Sequence, residues 1–430
     1  MKRCYSLILL FITFITVAQE KKEGNATLVE KIKSNQYFTF VKTRALDIMR
    51  TGFNAGDGYS EVWIRDYNTF IELAAKVYPK EVLKENLLVF FRMQGDDGNI
   101  IDGFTPAEKV DKGGVGYSYS YSKLEPRYAG HKNTVETDQE TSLVQSVYKY
   151  IQLTGDKTIL TERIGDKTVG ERLEWAMEFL MKHRFNEQYG LIIGATTADW
   201  GDVQPEHSWG VALDSNTHLA IDVYDNAMFV IALNNLMEIE TSAKSTWSKV
   251  KDNIVKNCRK YLWDKKLEKF IPHIYLKGSP FPADFDESKI YYFGGTAVAI
   301  EAGLLNREEI KASLNEMIKR VKQAGAGSIG LTLYPPYPEG YFVNKIMKPV
   351  YSYQNGGDWT WFGARMIQQL VKYGFALEAY EQIQPMVERV KDNNGFYEWY
   401  TVDNKPRGSG TFRGEAGVLY TAIVMLENWK

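Results

Sequence analysis

Ala195-Thr-Thr-Ala-Asp199-Trp200-Gly201-Asp202 sets two carboxylates and an indole in a Gly-bearing turn, ahead of a segment patterned as a helix. About two hundred residues later, Gly395-Phe-Tyr-Glu398-Trp399-Tyr400 repeats the pairing of an acid with a Trp. Such a pairing can present an acid to a sugar ring stacked on the indole. Either carboxylate taken singly would also serve as a turn residue or an N-cap. What gives them a common meaning is the chain on either side.

Working outward, apolar residues recur at helical spacing in twelve segments. The pattern predicts helices over Leu28–Arg50, Tyr67–Val77, Pro79–Met93, Gln139–Leu153, Val169–His183 and Tyr224–Ile239. It predicts six more over Ser245–Leu262, Thr296–Leu304, Arg307–Gln323, Trp359–Tyr373, Ala376–Val390 and Gly414–Asn428. Short links such as Tyr78-Pro79, Asn306 and Tyr373-Gly374-Phe375 follow the even-numbered helices, and longer links precede them. That alternation reads as six helical hairpins in a single domain, an all-α (α/α)6 toroid. Residues 190–193, 269–275 and 395–403 look like short hairpins within the long links. The longest link, between Gln94 and Asp138, is rich in Gly and Tyr, and loops of that length in compact domains are usually functional.

Nearly every even helix is preceded by acids: Asp66 before the second, Asp138 before the fourth, Asp199, Asp202, Asp222 and Asp225 before the sixth. Asp358 precedes the tenth, and Glu398 with Glu415 the twelfth. If the even helices form an inner parallel ring, these acids face one pocket at its end. Capping and the helix dipole favour Asp at such positions anyway, by about 0.5 to 2 kcal/mol. Capping does not account for Trp63, Trp200, Trp359 and Trp399, which accompany four of the acids. Carboxylates that accept from hydroxyls and indoles that cover pyranose faces together point to a carbohydrate pocket.

Several of these stretches resemble the six-hairpin (α/α)6 glycosidases, among them glucoamylases, trehalases, processing α-glucosidases, rhamnosidases and neutral invertases. Trp63-Ile-Arg65-Asp66 is similar to the Arg-Asp motif that holds the first-subsite sugar. Val135-Glu-Thr-Asp138, with Tyr148 and Thr154-Gly155-Asp156 after it, resembles the second-hairpin motif of neutral invertases and glycogen-debranching glucosidases. Tyr353-Gln-Asn-Gly-Gly-Asp358-Trp359 looks like their HNGGSW segment, with Asp358 in place of Ser. Glu398-Trp-Tyr with Gly408 and Phe412 resembles their EYYD segment, which carries the base. Ala198-Asp199-Trp200-Gly-Asp202 is similar to the Asp-Trp motifs that hold the general acid, although the link from Val203 to Leu219 is longer here. The resemblance implies Asp199 as general acid and Glu398 as general base, with Asp202 and Glu415 as their competitors. It assigns Trp63, Arg65, Asp66, Asp138, Trp200, Asp202, Asp225, Asp358, Trp359, Trp399 and Glu415 to sugar binding. The activity implied is that of an inverting, exo-acting α-glycosidase, an α-glucoside being the first expectation.

Composition excludes other classes. The 52 Lys and Arg against 54 Asp and Glu leave a net charge of −2 without basic blocks, so nucleic acid is not an expected partner. Aromatic residues make up 13% of the chain, and many adjoin Gly, Asp or Asn. The five histidines show no HExxH or other ligand spacing, no phosphate loop is evident, and no metal or cofactor is expected. Residues 1–18 read as a secretory signal peptide, with Lys2 and Arg3 before a short apolar run. The expectation is an exported, monomeric catalytic domain over 19–430 that is free of the membrane after cleavage and acts on an oligo- or polysaccharide. Its free thiol, Cys258, reads as core. The competing readings are a lyase or epimerase using Tyr117, Tyr119, Tyr121 or His207 as base, and a non-catalytic glycan-binding protein.

Overall fold

The structure is a computed structural model that describes residues 25–110, 118–208 and 211–430. The expected signal peptide and Tyr117 lie outside the described residues. Twelve helices follow an initial helical segment of about two and a half turns over residues 25–33. They are α1 (Gln36–Met49), α2 (Ile64–Ala74), α3 (Lys80–Arg92), α4 (Asp138–Thr154), α5 (Val169–His183) and α6 (Val223–Ile239). Then come α7 (Lys244–Asn257), α8 (Phe293–Glu301), α9 (Arg307–Ala324), α10 (Thr360–Lys372), α11 (Ala376–Asn393) and α12 (Arg413–Glu427).

Burial separates the helices into two layers. The even helices are buried almost all round: in α2 every residue but Glu72, and in α8 every residue but Glu301. The odd helices carry one apolar stripe, and α7 buries just Trp247 and Ile254 along its length. A helix apolar on all sides must be surrounded, whereas an amphipathic one can face water. The inner six accordingly pack in sequence, α2 on α4, α4 on α6, α6 on α8, α8 on α10 and α10 on α12. Packing of α12 on α2 closes the ring. At that last contact a Cβ on Gly417 would lie 2.4 Å from the Phe70 Cα and 2.5 Å from the Thr69 carbonyl, so the closure needs a residue without a side chain.

Three departures from the sequence patterns have identifiable causes. Leu28–Arg50 breaks at Asn35, whose side chain accepts from the Tyr37 amide at 3.0 Å and starts α1. Ser245–Leu262 is α-helical only to Asn257 and ends in one π turn, Cys258–Leu262, with Cys258 fully buried. The eighth helix starts at Phe293 rather than Thr296, because Asp199 accepts from the Gly294 and Gly295 amides at 2.7 Å each. That cap comes from far away in the chain, and local pattern does not contain it.

The long link after α3 supplies three strands, β2 (Gly103–Pro106), β3 (Tyr119–Ser122) and β4 (Glu125–His131), which join β1 (Val62–Trp63) from just before α2 in a four-stranded sheet of order β1-β2-β4-β3. Its strands lead straight into α2 and toward α4. A second, smaller core joins the rim loops, with Ala198, Val203, Phe281, Tyr292, Tyr337, Phe342 and Met347 packed together. It holds the Asp199–Asp202 turn against two loops from the far half of the chain. Among the described residues no helix is long and apolar enough to cross a membrane.

Candidate active site

The first turns of all six inner helices meet at one end of the ring. Arg65 of α2 pairs with Asp138 of α4 at 2.5 Å and with Glu136, and Tyr224 of α6 donates to Asp138 at 2.7 Å. The Gln139 side chain occupies the other Asp138 oxygen at 2.8 Å. Asp199 ties α8 as described, and Trp200 stacks on Phe362 of α10, centroids 4.2 Å apart. Trp361 of α10 meets Phe412, the N-cap of α12, edge to face.

Beyond Arg65 and Asp138, four more of the expected sugar-binding residues are committed to this framework. Asp358 is fully buried; its carboxylate accepts from the Ser328 amide and hydroxyl and takes both arms of Arg389, at 2.8 and 2.6 Å. Trp200 and Trp359 are each 1% exposed, packed edge to face on one another beneath the mouth. They form the floor of the site and not a stacking platform. Asp225 sits in the first turn of α6, its amide capped by Asp222, and burial followed by the Asp138 charge pushes its pKa up to about 6.

Asp199 is also enclosed. It is 1% exposed in a left-handed turn (φ 58°), with both oxygens occupied by the Gly294 and Gly295 amides. Burial raises its pKa to about 8, while those two amides oppose the rise. The Thr197 hydroxyl donates to the Asp199 carbonyl, and the Tyr292 hydroxyl donates to the Thr197 carbonyl, both at 3.2 Å. The turn is therefore gripped by the Tyr292–Gly295 segment at its backbone and at its side chain. What it projects into the mouth is Asp202, half-buried, whose Oδ1 accepts from the Gln354 amide group at 2.9 Å.

Opposite stands Glu398. The Tyr59 hydroxyl donates to its Oε2 at 2.9 Å and the Ser409 amide at 3.3 Å. Gly408 has φ 71°, and a Cβ there would fall 2.3 Å from the same oxygen, so a glycine lets the loop close over the carboxylate. Burial raises the Glu398 pKa, the two hydrogen bonds oppose the rise, and the Asp202 charge adds to it. The charges of Glu398, Asp66 and Asp202 all act on the Tyr59 hydroxyl, which together with burial is held far above its ordinary pKa. Asp66 Oδ1 is buried without a hydrogen-bond partner, and Trp63 leans on the Tyr59 ring at 4.9 Å with its indole N–H unpartnered. Trp399 is 8% exposed beside Tyr353. Glu415, in the first turn of α12, is buried below Glu398, and burial pushes its pKa well up.

Sequence reasoning missed Tyr59, Asp102 and Gln354. Asp102, just before β2, has a pKa pushed up to about 7, first by burial, then by the Asp138 and Asp202 charges against that of Arg65. Gln354 lies inside the quoted Tyr353–Trp359 stretch and could have been taken from it. Tyr59 and Asp102 sit in loops with no periodic signal.

A closed ring of six helical hairpins with acids gathered at one end defines a six-hairpin (α/α)6 glycosidase. Residues 14–409 match the profile of the glycosyl hydrolase 94 superfamily, catalytic domain, and the chain belongs to that family. Solved structures agree in fold. The mannosylglycerate hydrolase of family GH63 from Thermus thermophilus, in complex with glucose, superposes with a TM-score of 0.61 at 14% identity, over 89% of this chain and 99% of that one. The GH78 rhamnosidase of Bacillus sp. GL1 gives 0.59 at 13% identity, over 90% of this chain and 34% of that one. A rhamnosidase from Klebsiella oxytoca with rhamnose bound gives 0.59 at 12%, over 90% and 63%. No curated protein is a significant match.

Proposed function

We propose that the protein is an exported, monomeric glycoside hydrolase that removes terminal α-linked sugars with inversion, using Asp202 as general acid and Glu398 as general base. The observation that carries this is Glu398, held by the Tyr59 hydroxyl and the Ser409 amide, together with the half-buried Asp202, held by the Gln354 side chain. Inversion needs one protonated carboxyl to donate to the leaving oxygen and one ionised carboxylate to activate water. Asp199 was the first expectation for the acid, but both its oxygens are occupied by backbone amides and it is shut off from the mouth. It fits a positioning role for Asp202, three residues on. Glu415 is buried and held toward its protonated form, which suits a base poorly; Glu398 lies above it with a hydroxyl and an amide to stabilise its charge.

Asp66 and Asp102 remain to accept from sugar hydroxyls, since Arg65 is engaged by Glu136 and Asp138. Carboxyl groups that are not ion-paired suit a neutral, hydroxyl-rich ring. The α-glucoside preference rests on the motif resemblance, and export on the leader-like residues 1–18. The lyase reading fares worse: Tyr59 is held protonated among carboxylates, Tyr119 donates toward Glu61 at 3.4 Å, and His207 faces Asp214 at 3.5 Å.

The test is proton NMR of the first minutes of reaction with a panel of α-linked disaccharides and aryl α-glycosides. The β-anomer as first product, with Glu398→Gln and Asp202→Asn folded but slow, is the expected result. An α-anomer, an unsaturated product, or undiminished rates in both variants would overturn the assignment.

A further inference from the structure

A second cavity of about 800 Å³ lies behind the four-stranded sheet, lined among others by Tyr121, Lys123, Lys132, Lys167, Arg172 and Trp175. None of Tyr59, Asp66, Asp199, Asp202 or Glu398 lines it. Of the five cations in its lining, Arg92 pairs with Glu85 and Glu125, Lys132 with Glu140 and Lys167 with Asp166, which leaves Arg172 and Lys123 outside any ion pair among the described residues.

The decisive residue is Arg172. It is 6% exposed, and three of its five N–H groups are used: Nε and Nη2 on the Ile164 carbonyl at 3.1 and 2.6 Å, and Nη1 on the Gln94 side-chain oxygen at 3.0 Å. None of these acceptors is a carboxylate, and burial lowers the Arg172 pKa with Asp166 in partial opposition. A residue whose task was to brace the 163–168 turn would need those hydrogen bonds and no charge. A guanidinium placed there pays a desolvation cost that an anion in the cavity would offset. Lys123 stands exposed at the rim, and Lys167 lies 5.0 Å over the Trp175 ring. The Gln94 side chain is taken up by Arg172 and Gly98, while Asn99 keeps one amide hydrogen beyond its bond to Asp97 and Ser120 keeps its hydroxyl oxygen as an acceptor beyond its bond to Gly130.

We infer that this cavity binds an acidic saccharide, with Arg172 and Lys123 taking the carboxylate of a uronate unit and the amide and hydroxyl groups its ring oxygens. The inference stands independently of the catalytic assignment. Isothermal titration of the wild-type protein with a tetragalacturonate, its methyl ester and inorganic sulfate tests it. The tetragalacturonate is expected to bind, the methyl ester about tenfold or more weakly, and sulfate more weakly again. Arg172→Gln and Lys123→Gln should each weaken the tetragalacturonate about tenfold, roughly the loss of one charge-assisted hydrogen bond. Hydrolysis of a small aryl glycoside should not change in either variant. Lys123 is exposed, so its variant keeps the test valid should Arg172→Gln lower Tm. Absence of binding, equal binding of the methyl ester, or both variants binding as the wild type does would overturn the inference. Sulfate binding as tightly as the saccharide would also overturn it, as the mark of a simple anion site.

Discussion

At the scale of single residues, carboxylates that look alike in sequence divide by what their oxygens already hold. Asp358 belongs to an ion pair of which both side chains are nearly inaccessible. Removing one partner leaves an uncompensated buried charge, so Arg389→Leu should lower stability by about 3 to 5 kcal/mol in denaturant titration. Arg389→Leu combined with Asp358→Asn should recover part of that loss; an additive double variant would contradict the reading. Asp102 shows the opposite case, a carboxyl short of partners. Its folded pKa of about 7 stands above the ordinary carboxylate value. The folded state then keeps a proton that the unfolded chain has lost, and the stability this residue contributes falls as pH rises from about 4 to about 7. Asp102→Asn, neutral throughout, should match wild-type Tm near pH 4, gain on it up to pH 7 and hold the gain above. A Tm difference that does not vary with pH would show that the wild-type side chain is ionised throughout.

At the scale of elements, the turn over residues 195–202 and the start of α8 form one unit. A Cβ on Gly294 would lie 2.2 Å from the Trp200 ring, and one on Gly295 would lie 2.7 Å from Asp199 Oδ1. Gly294→Ala should therefore displace the turn and cut kcat by an order of magnitude or more with KM little changed, since what moves is the aim of Asp202. Tyr292→Phe removes the hydroxyl that holds the Thr197 carbonyl and meets Tyr337 at 2.6 Å. It should cost about 1 kcal/mol and lower kcat more gently than Gly294→Ala. This unit marks the limit of what the chain discloses locally. The twelve helices were legible because apolar spacing is a local signal, and the inner and outer layers followed from the alternation of link lengths. The acid ring was legible as a set. Its division into Asp202 and Glu398 at the mouth, and Asp199, Asp225 and Asp358 in the framework, was not. That division depends on amides and guanidinium groups brought from up to about a hundred residues away, such as Gly294 for Asp199.

At the scale of the whole molecule, the site exists because a ring closes. The loop before the first inner helix meets the last stretch of chain, Tyr59 with Glu398 and Arg413 with the Asn54 carbonyl. Closure runs through Gly417 against the α2 backbone. Gly417→Val should overpack that seam by about 1 to 3 kcal/mol. It should also reduce activity through Glu398, far from the substituted residue, with stability and kcat/KM falling together. Loss of stability with unaltered kcat/KM in the folded fraction would separate the seam from the site.

The most direct test of the account is the dependence of kcat/KM on the leaving group for Asp202→Asn and Asp199→Asn, using the α-glycoside that the NMR panel identifies. A general acid matters in proportion to the leaving oxygen's need for a proton. Asp202→Asn should therefore lose about 10² to 10⁴ on the disaccharide and little on the dinitrophenyl glycoside. Asp199→Asn should lose a similar factor on both, as a positioning residue would. The reverse pattern, with Asp199→Asn selectively slow on the poor leaving group, would return the proton to Asp199 and contradict the assignment.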